Sequence, residues 1–542
     1  MVQSGHRKSA SGASRRLRWF DRETLSIVGL YTAAWCLLLS ASGRYWDDWA
    51  ALDISAETAV EWSRMQGQFW QWHFLRLLSA LPGTERIGHL LVFASYLLCA
   101  LICHRLVRRI PGTTALARVS IPVLFAVFPV NAARYALIDL MYALSLAVFM
   151  IGWWLIAVDL DRPRLWRRVL ASVVLLFSML STGSLVMFAL VIPAYVAWVK
   201  AADWRSAGAR RPLVQRYCFL LGLPVVAWLI RSVALQPSGL YEGYNQVTLA
   251  GVRQALVDLP AAFIASIVQP VVSAFSSHLL AVLLGGLALY AIALVGRTAS
   301  REDATPSWAK PISLLGAGAV VFALGVIPYM AVGKLPQSLG WESRHQLLVP
   351  FGAAMIVYAA IVLGARALRL ESRVALLVLC VLVSAFVLAD LRSSLAYQAD
   401  WYKQVSLMQR MGQSADIRRG SYFVFSDEAS ELNAALPTYP AYAYNGMLRK
   451  VFGDTTRFGV DESGTAVFDP LVMREYEQYN CWEYQPTDER YAVTITRGER
   501  DVTKPRVVLG LMWREILRPD EYRDLVTDIA RIESQPLPSG AD

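Results

Sequence analysis

Charge is scarce in this sequence: 17% of its 542 residues are Asp, Glu, Lys or Arg, against 56% that are apolar. A water-soluble globular chain does not carry so little. Cysteine is scarce as well. Of the six, Cys36, Cys99, Cys103, Cys218 and Cys380 sit in or beside apolar stretches, leaving Cys481 alone in a polar tail. That distribution excludes a disulfide framework. Cys99 and Cys103, one helical turn apart with His104 adjacent, come nearest to a metal spacing, but no second half-site accompanies them and they read as packing. The alternating ten-residue strands of a membrane barrel are absent.

Long apolar runs are what the chain does have. Many reach the roughly 20 residues that carry a helix across a bilayer, where the backbone must satisfy its own hydrogen bonds. The first 24 residues are polar and basic (Arg7, Lys8, Arg15, Arg16, Arg18, Arg22) and precede an apolar stretch at 24–42. This stretch is too long for a signal peptide and lacks a cleavage site, so it reads as a retained first span entering from the cytoplasm. Further spans fall near 87–104, 115–131, 136–158, 167–181, 183–200, 215–234, 277–297, 311–333, 346–365 and 373–391. The net charge of +10 concentrates in alternate short loops, such as Arg105, Arg108 and Arg109, then Arg162, Arg164, Arg167 and Arg168, then Arg297, Arg301 and Lys310. That placement orients about eleven spans with the amino terminus cytoplasmic and the carboxyl tail outside, and it leaves no basic face for a nucleic acid. The segment 256–276, interrupted by Pro260 and Pro270, is expected as interfacial or re-entrant helices, since a span there would put the basic 297–310 loop outside.

The expected architecture is therefore an α-helical polytopic membrane protein followed by a small extramembrane α/β domain. Its parts are a cytoplasmic amino terminus (1–24), a membrane domain (25–394) and an outer carboxyl domain (395–542). Within the last, 420–426, 490–496 and 505–512 read as strands and 520–534 as an amphipathic helix. No phosphate loop, metal cluster or nucleophile motif occurs there. In the first outer loop, 59–81 has helical spacing and many aromatics (Trp62, Phe69, Trp70, Trp72, Phe74), as suits helices at the membrane surface.

Three polar patches fall on one side under this topology. Tyr45-Trp46-Asp47-Asp48-Trp49 follows the first span. Two adjacent carboxylates at a membrane rim are costly to desolvate, and crowding raises at least one pKa. One suits a general base, or the pair could hold a divalent cation such as Mg or Mn. The second patch is Phe128-Pro129-Val130-Asn131 with Arg134, Asp139 and Tyr142, where Arg134 and Asp139 are spaced to pair on a helix. The third is Gly340-Trp341-Glu342-Ser343-Arg344-His345-Gln346, with Lys334 upstream and Arg231 at the outer end of another span. A guanidinium in such a place holds a phosphate through paired hydrogen bonds. Acids and cations at one rim suit transfer from a lipid phosphate donor; composition alone does not separate that from transport.

The order of these motifs resembles the GT-C class of membrane glycosyltransferases. Asp47-Asp48 matches an acidic pair in the first outer loop, Arg86-Ile87-Gly88-His89-Leu90 a His-containing start of the second span, and Phe128–Asn131 followed by 140–144 the second outer loop. Arg344-His345-Gln346-Leu347-Leu348-Val349-Pro350 is similar to an Arg-Tyr-x-x-Leu-Pro stretch. The resemblance spans about residues 25–394. It departs after Ser181, where Thr182-Gly183 replaces a Lys-Glu pair. The resemblance implies a polyprenyl-phosphate sugar donor and an acceptor in the envelope (glycan, lipid or protein), within a bacterial inner membrane. It implies Asp47 or Asp48 as base and Arg344, with Arg231, Lys334 or His345, as the phosphate contact; Arg134, Asp139, Tyr142 and Glu342 would support them. The other reading is a transporter or flippase of a lipid-linked precursor. No internal repeat supports it, and the charged residues gather at the rim rather than mid-membrane.

Overall fold

The computed structural model describes residues 21–297, 308–462 and 489–537, apart from 53, 244, 277, 435–437 and 455. Arg7, Lys8, Arg15, Arg16, Arg18, Arg301 and Cys481 lie outside the described residues.

A helix or broken helix occupies each of the eleven expected spans. Seven are long and apolar enough to cross a membrane unaided: Arg22–Ser40, Thr84–Val107, Leu137–Asp161, Gly208–Ala234, Ala309–Met330, Val349–Ala367 and Ser372–Gln413. The others are shorter for local reasons. Ala115–Val127 begins on Thr114, whose hydroxyl caps the Ala117 N–H, and stops where Pro129 forces Phe128 into extended backbone. Ser184–Val199 is likewise a short apolar helix. The 256–276 region forms a pair, Leu249–Val257 and Leu259–Ala274, bent by 58° at the break. Pro260 opens the second member of that pair, in the first-turn position proline tolerates best.

Ser372–Gln413 joins the two halves of the molecule. Its 42 residues extend about 63 Å at 1.5 Å each, twice the hydrocarbon thickness, so its second half continues beyond the lipid. The boundary read at 394–395 thus falls inside one continuous helix.

The carboxyl-terminal unit holds a four-stranded sheet, ordered β2-β1-β3-β4: β1 Tyr422–Asp427, β2 Phe458–Asp461, β3 Arg490–Arg497 and β4 Ala530–Pro536. β1 pairs parallel with β2 and β3, and β3 antiparallel with β4. Helix Ala441–Phe452 packs on this sheet, its Tyr444 ring stacked 4.2 Å from Phe425. Two expectations fail here. Residues 505–512 form a helix, Pro505–Leu517, rather than a strand. Val508, Leu511 and Met512 are its buried face, a helical spacing that a short apolar run conceals. The expected helix at 520–534 ends at Thr527, and its remainder becomes β4, drawn into the ladder by the free edge of β3.

The aromatic segment of the first loop is two helices, Ala56–Met65 and Gln71–Ser79. Its Trp62 and Trp72 do not face headgroups; they are buried against each other, ring centroids 4.6 Å apart. Trp70 and Gln71 donate to the Ser181 hydroxyl and carbonyl at 2.7 and 2.8 Å.

Candidate functional site

The acidic pair divides its labour. Asp48 is fully buried, and its carboxylate accepts three backbone N–H groups: Tyr45 at 2.9 Å, Leu137 at 2.9 Å and Ile138 at 2.7 Å. The first bond closes its own turn, and the others clamp that turn to the 3-10 turn Leu137–Asp139 that leads into the next span. Asp47 is half-buried and lies within reach of the Tyr442 phenol and in the field of Arg344. Burial raises both carboxyls. Asp48 is pushed up to about 7 by burial and Asp47, against the three amides that pull it down. Asp47 is raised by burial, with Tyr442 and Arg344 opposing. The turn is strained: Trp46 has a φ of 49°, a left-handed conformation an indole adopts only under compulsion. Compulsion comes from both sides, with Trp341 at 4.6 Å and Tyr397 at 6.0 Å from its ring.

The second patch is arranged otherwise than its spacing suggests. Residues 132–135 and 137–139 are 3-10 turns, so Arg134 and Asp139 do not share a helical face. No ion pair joins them among the described residues. Arg134 donates to the Asn131 carbonyl at 2.9 Å and lies 3.7 Å over the Trp35 ring and 4.4 Å over Tyr96. Asp139 is buried and within the field of Arg344, Asp47 and Asp48.

The third patch joins the second through Ser343, whose hydroxyl accepts from the Ala133 N–H at 2.8 Å. The Arg344 guanidinium lies flat over Trp341 at 3.6 Å and donates through Nε to His345 Nε2 at 3.3 Å. That nitrogen must be bare to accept, so the imidazole proton belongs on Nδ1, which faces Glu342 Oε2 at 2.8 Å. Burial first, then Arg344 and Lys334, hold His345 down to about 3, so it stays neutral. His345 thereby lies between Glu342 and Arg344, and its Nε2 fixes one edge of the guanidinium.

Arg231 stands apart from this line. It donates to the Leu180 carbonyl at 2.5 Å, has Tyr142 in its field, and passes 3.4 Å from where a Cβ on Gly183 would stand. Tyr329 bridges the two regions: Ser184 donates to its hydroxyl at 3.0 Å and its ring lies 5.3 Å from His345.

Sequence reasoning missed Tyr442. It comes from helix Ala441–Phe452 of the carboxyl-terminal unit, which lies against the acidic loop so closely that a Cβ on Gly446 would stand 2.7 Å from the Trp49 ring. Trp49 donates to Gln404 at 2.9 Å and Tyr45 to the Tyr397 carbonyl at 2.7 Å, pinning the same loop to the long strut. Burial beside Asp47 raises the Tyr442 phenol, which remains a donor. The run Tyr439-Pro440-Ala441-Tyr442-Ala443-Tyr444, large rings alternating with small residues, was the available signal.

No protein-family model matches this chain, and no curated protein does. Among solved structures it is similar to the archaeal oligosaccharyltransferase AglB from Archaeoglobus fulgidus, determined in complex with an inhibitory peptide and a dolichol-phosphate. The TM-score is 0.38 and the identity 12%, over 87% of this chain and 69% of that one.

Asp48 offers a divalent cation little, since three amides already engage its oxygens. Among the described residues the one group of three clustered ligand side chains is Asp21, Glu23 and His104. Arg108 reaches Asp21 at 2.5 Å, and Arg118 lies 3.5 Å from Glu23, so guanidinium groups already meet those carboxylates. Cys99 and Cys103 are buried free thiols, and His104 Nδ1 is 2.8 Å from the Arg118 carbonyl.

Proposed function

We propose that this chain is a membrane glycosyltransferase of the GT-C class, moving a sugar from a polyprenyl-phosphate carrier to an envelope glycan, lipid or protein at the outer face of a bacterial inner membrane. The observation that carries the proposal is that Arg344 lies within electrostatic reach of Asp47, though the two come from loops at opposite ends of the membrane domain, with Tyr442 beside the carboxylate.

Asp47 is the base, since it alone of the pair is not consumed by backbone amides. It takes the proton of an acceptor hydroxyl as that oxygen attacks the anomeric carbon. The bond from that carbon to the carrier phosphate breaks, and its electron pair leaves with the phosphate oxygen. Arg344 meets the charge that grows there, braced by Trp341 and held at one edge by His345. Lys334 and Arg231 strengthen the positive field. Asp48 holds the loop rather than the proton, while Asp139 lies close enough to influence both Asp47 and Arg344.

The test is sugar transfer by the purified chain from a panel of polyprenyl-phosphate sugars, beside Asp47→Asn. Transfer by the wild type and its loss in the variant is the expected result. Translocation of a lipid-linked sugar without any transfer would favour the flippase reading and end this one.

A further inference from the structure

We infer that helix Pro505–Leu517 is an interfacial membrane anchor, its outer face seated in the lipid leaflet beside the candidate site. The inner face of this helix is Val508, Leu511 and Met512, all buried on the carboxyl-terminal unit. The outer face is Leu509, Trp513, Ile516 and Leu517, all exposed, with Trp513 at 65%. Those positions recur at i, i+4, i+7 and i+8, so they form one stripe rather than scattered apolar residues. A stripe of one indole and three branched aliphatic side chains is costly to leave in water.

What covers it follows from where the helix is tied down. Glu515 accepts from the Ser42 hydroxyl at 2.8 Å and from the Tyr402 phenol at 3.0 Å, and lies 3.6 Å from the Arg86 guanidinium. Ser42 lies just past the end of the first span, and Arg86 lies in the first turn of the second. Arg86 is itself exposed, and Leu90, one turn further along the same face, is an exposed side chain of that span. The helix therefore sits at the outer ends of the first two spans, beside the exposed face that carries Leu90. Arg86 and the exposed Arg506 bring cations to the depth of the lipid phosphates, and Trp513 is the residue type that favours this level. The leaflet would thus hold the carboxyl-terminal unit, and with it Tyr442, at a fixed height over the acidic loop. This inference does not depend on the reaction proposed above.

The experiment uses the full chain, purified into nanodiscs of phosphatidylethanolamine and phosphatidylglycerol. A benzophenone amino acid is placed at position 513, in a second preparation at 516, and in a control at 520, where the side chain is 95% exposed on the following helix. Irradiation is expected to add the mass of a lipid at 513 and 516 and not at 520. Adducts absent from 513 and 516, or crosslinks there that join two copies of the chain, would overturn the anchor.

Discussion

Tyr442, which follows the last span, lies beside Asp47, which follows the first, and its phenol pulls that carboxyl down against the effect of burial. The contact favours the ionised carboxylate, the form a base requires. Its removal in Tyr442→Phe should raise the Asp47 pKa and move the acid limb of kcat/KM to higher pH. Transfer should fall roughly tenfold, the equivalent of about one pKa unit of differential stabilisation. Asp48, Asp139 and Arg344 also face this carboxylate and are unchanged in the variant, so an unmoved limb would assign Tyr442 a packing role only.

The two acids should separate by readout. Asp47→Asn is expected to lower transfer by about a hundredfold or more while leaving the melting temperature near wild type. Asp48→Asn should act first on stability. One amide oxygen cannot replace two carboxylate oxygens, and its N–H would confront a backbone N–H, costing about 1–3 kcal/mol. Thermal unfolding in detergent, run beside the transfer assay, distinguishes them.

Asp48 also predicts how stability varies with pH. Its folded pKa of about 7 lies above the ordinary 3.8, so folding favours the protonated form. The contribution is complete below 3.8 and is lost as pH rises through about 7. The wild type should therefore melt progressively lower across that window. Asp48→Asn, though less stable, should show a flatter dependence.

Arg344 and Arg231 should differ in weight. Arg344→Lys keeps the charge but loses the flat guanidinium that stacks on Trp341, and is expected to raise the donor KM about tenfold. Arg231→Gln should matter less, since the Leu180 carbonyl already engages that guanidinium. A donor titration that ranked them in the opposite order would move the phosphate contact to Arg231.

Much of this molecule could be read before any coordinates. A run of apolar residues long enough to cross lipid has one way to satisfy its backbone, so the spans and the three rim patches were legible as local facts. Asp47-Asp48 could be seen as an unusual pair; which of the two was free could not, because that depends on the N–H groups of Leu137 and Ile138 arriving from another loop. Arg134 and Asp139 looked like partners only on the assumption of a helix, which the 3-10 turns replace. Pro505–Leu517 passed for a strand because a short apolar run carries too few residues to declare its period.

Amino-acid order by itself determined that this chain lies in a membrane, roughly where it crosses, and which residue types crowd one rim. Only the tertiary structure decided that Arg344 and Tyr442 come within electrostatic reach of Asp47, and that Asp48 serves the backbone instead. Hydropathy acts residue by residue along the chain, whereas a hydrogen bond or ion pair exists only once distant segments are brought within a few ångströms.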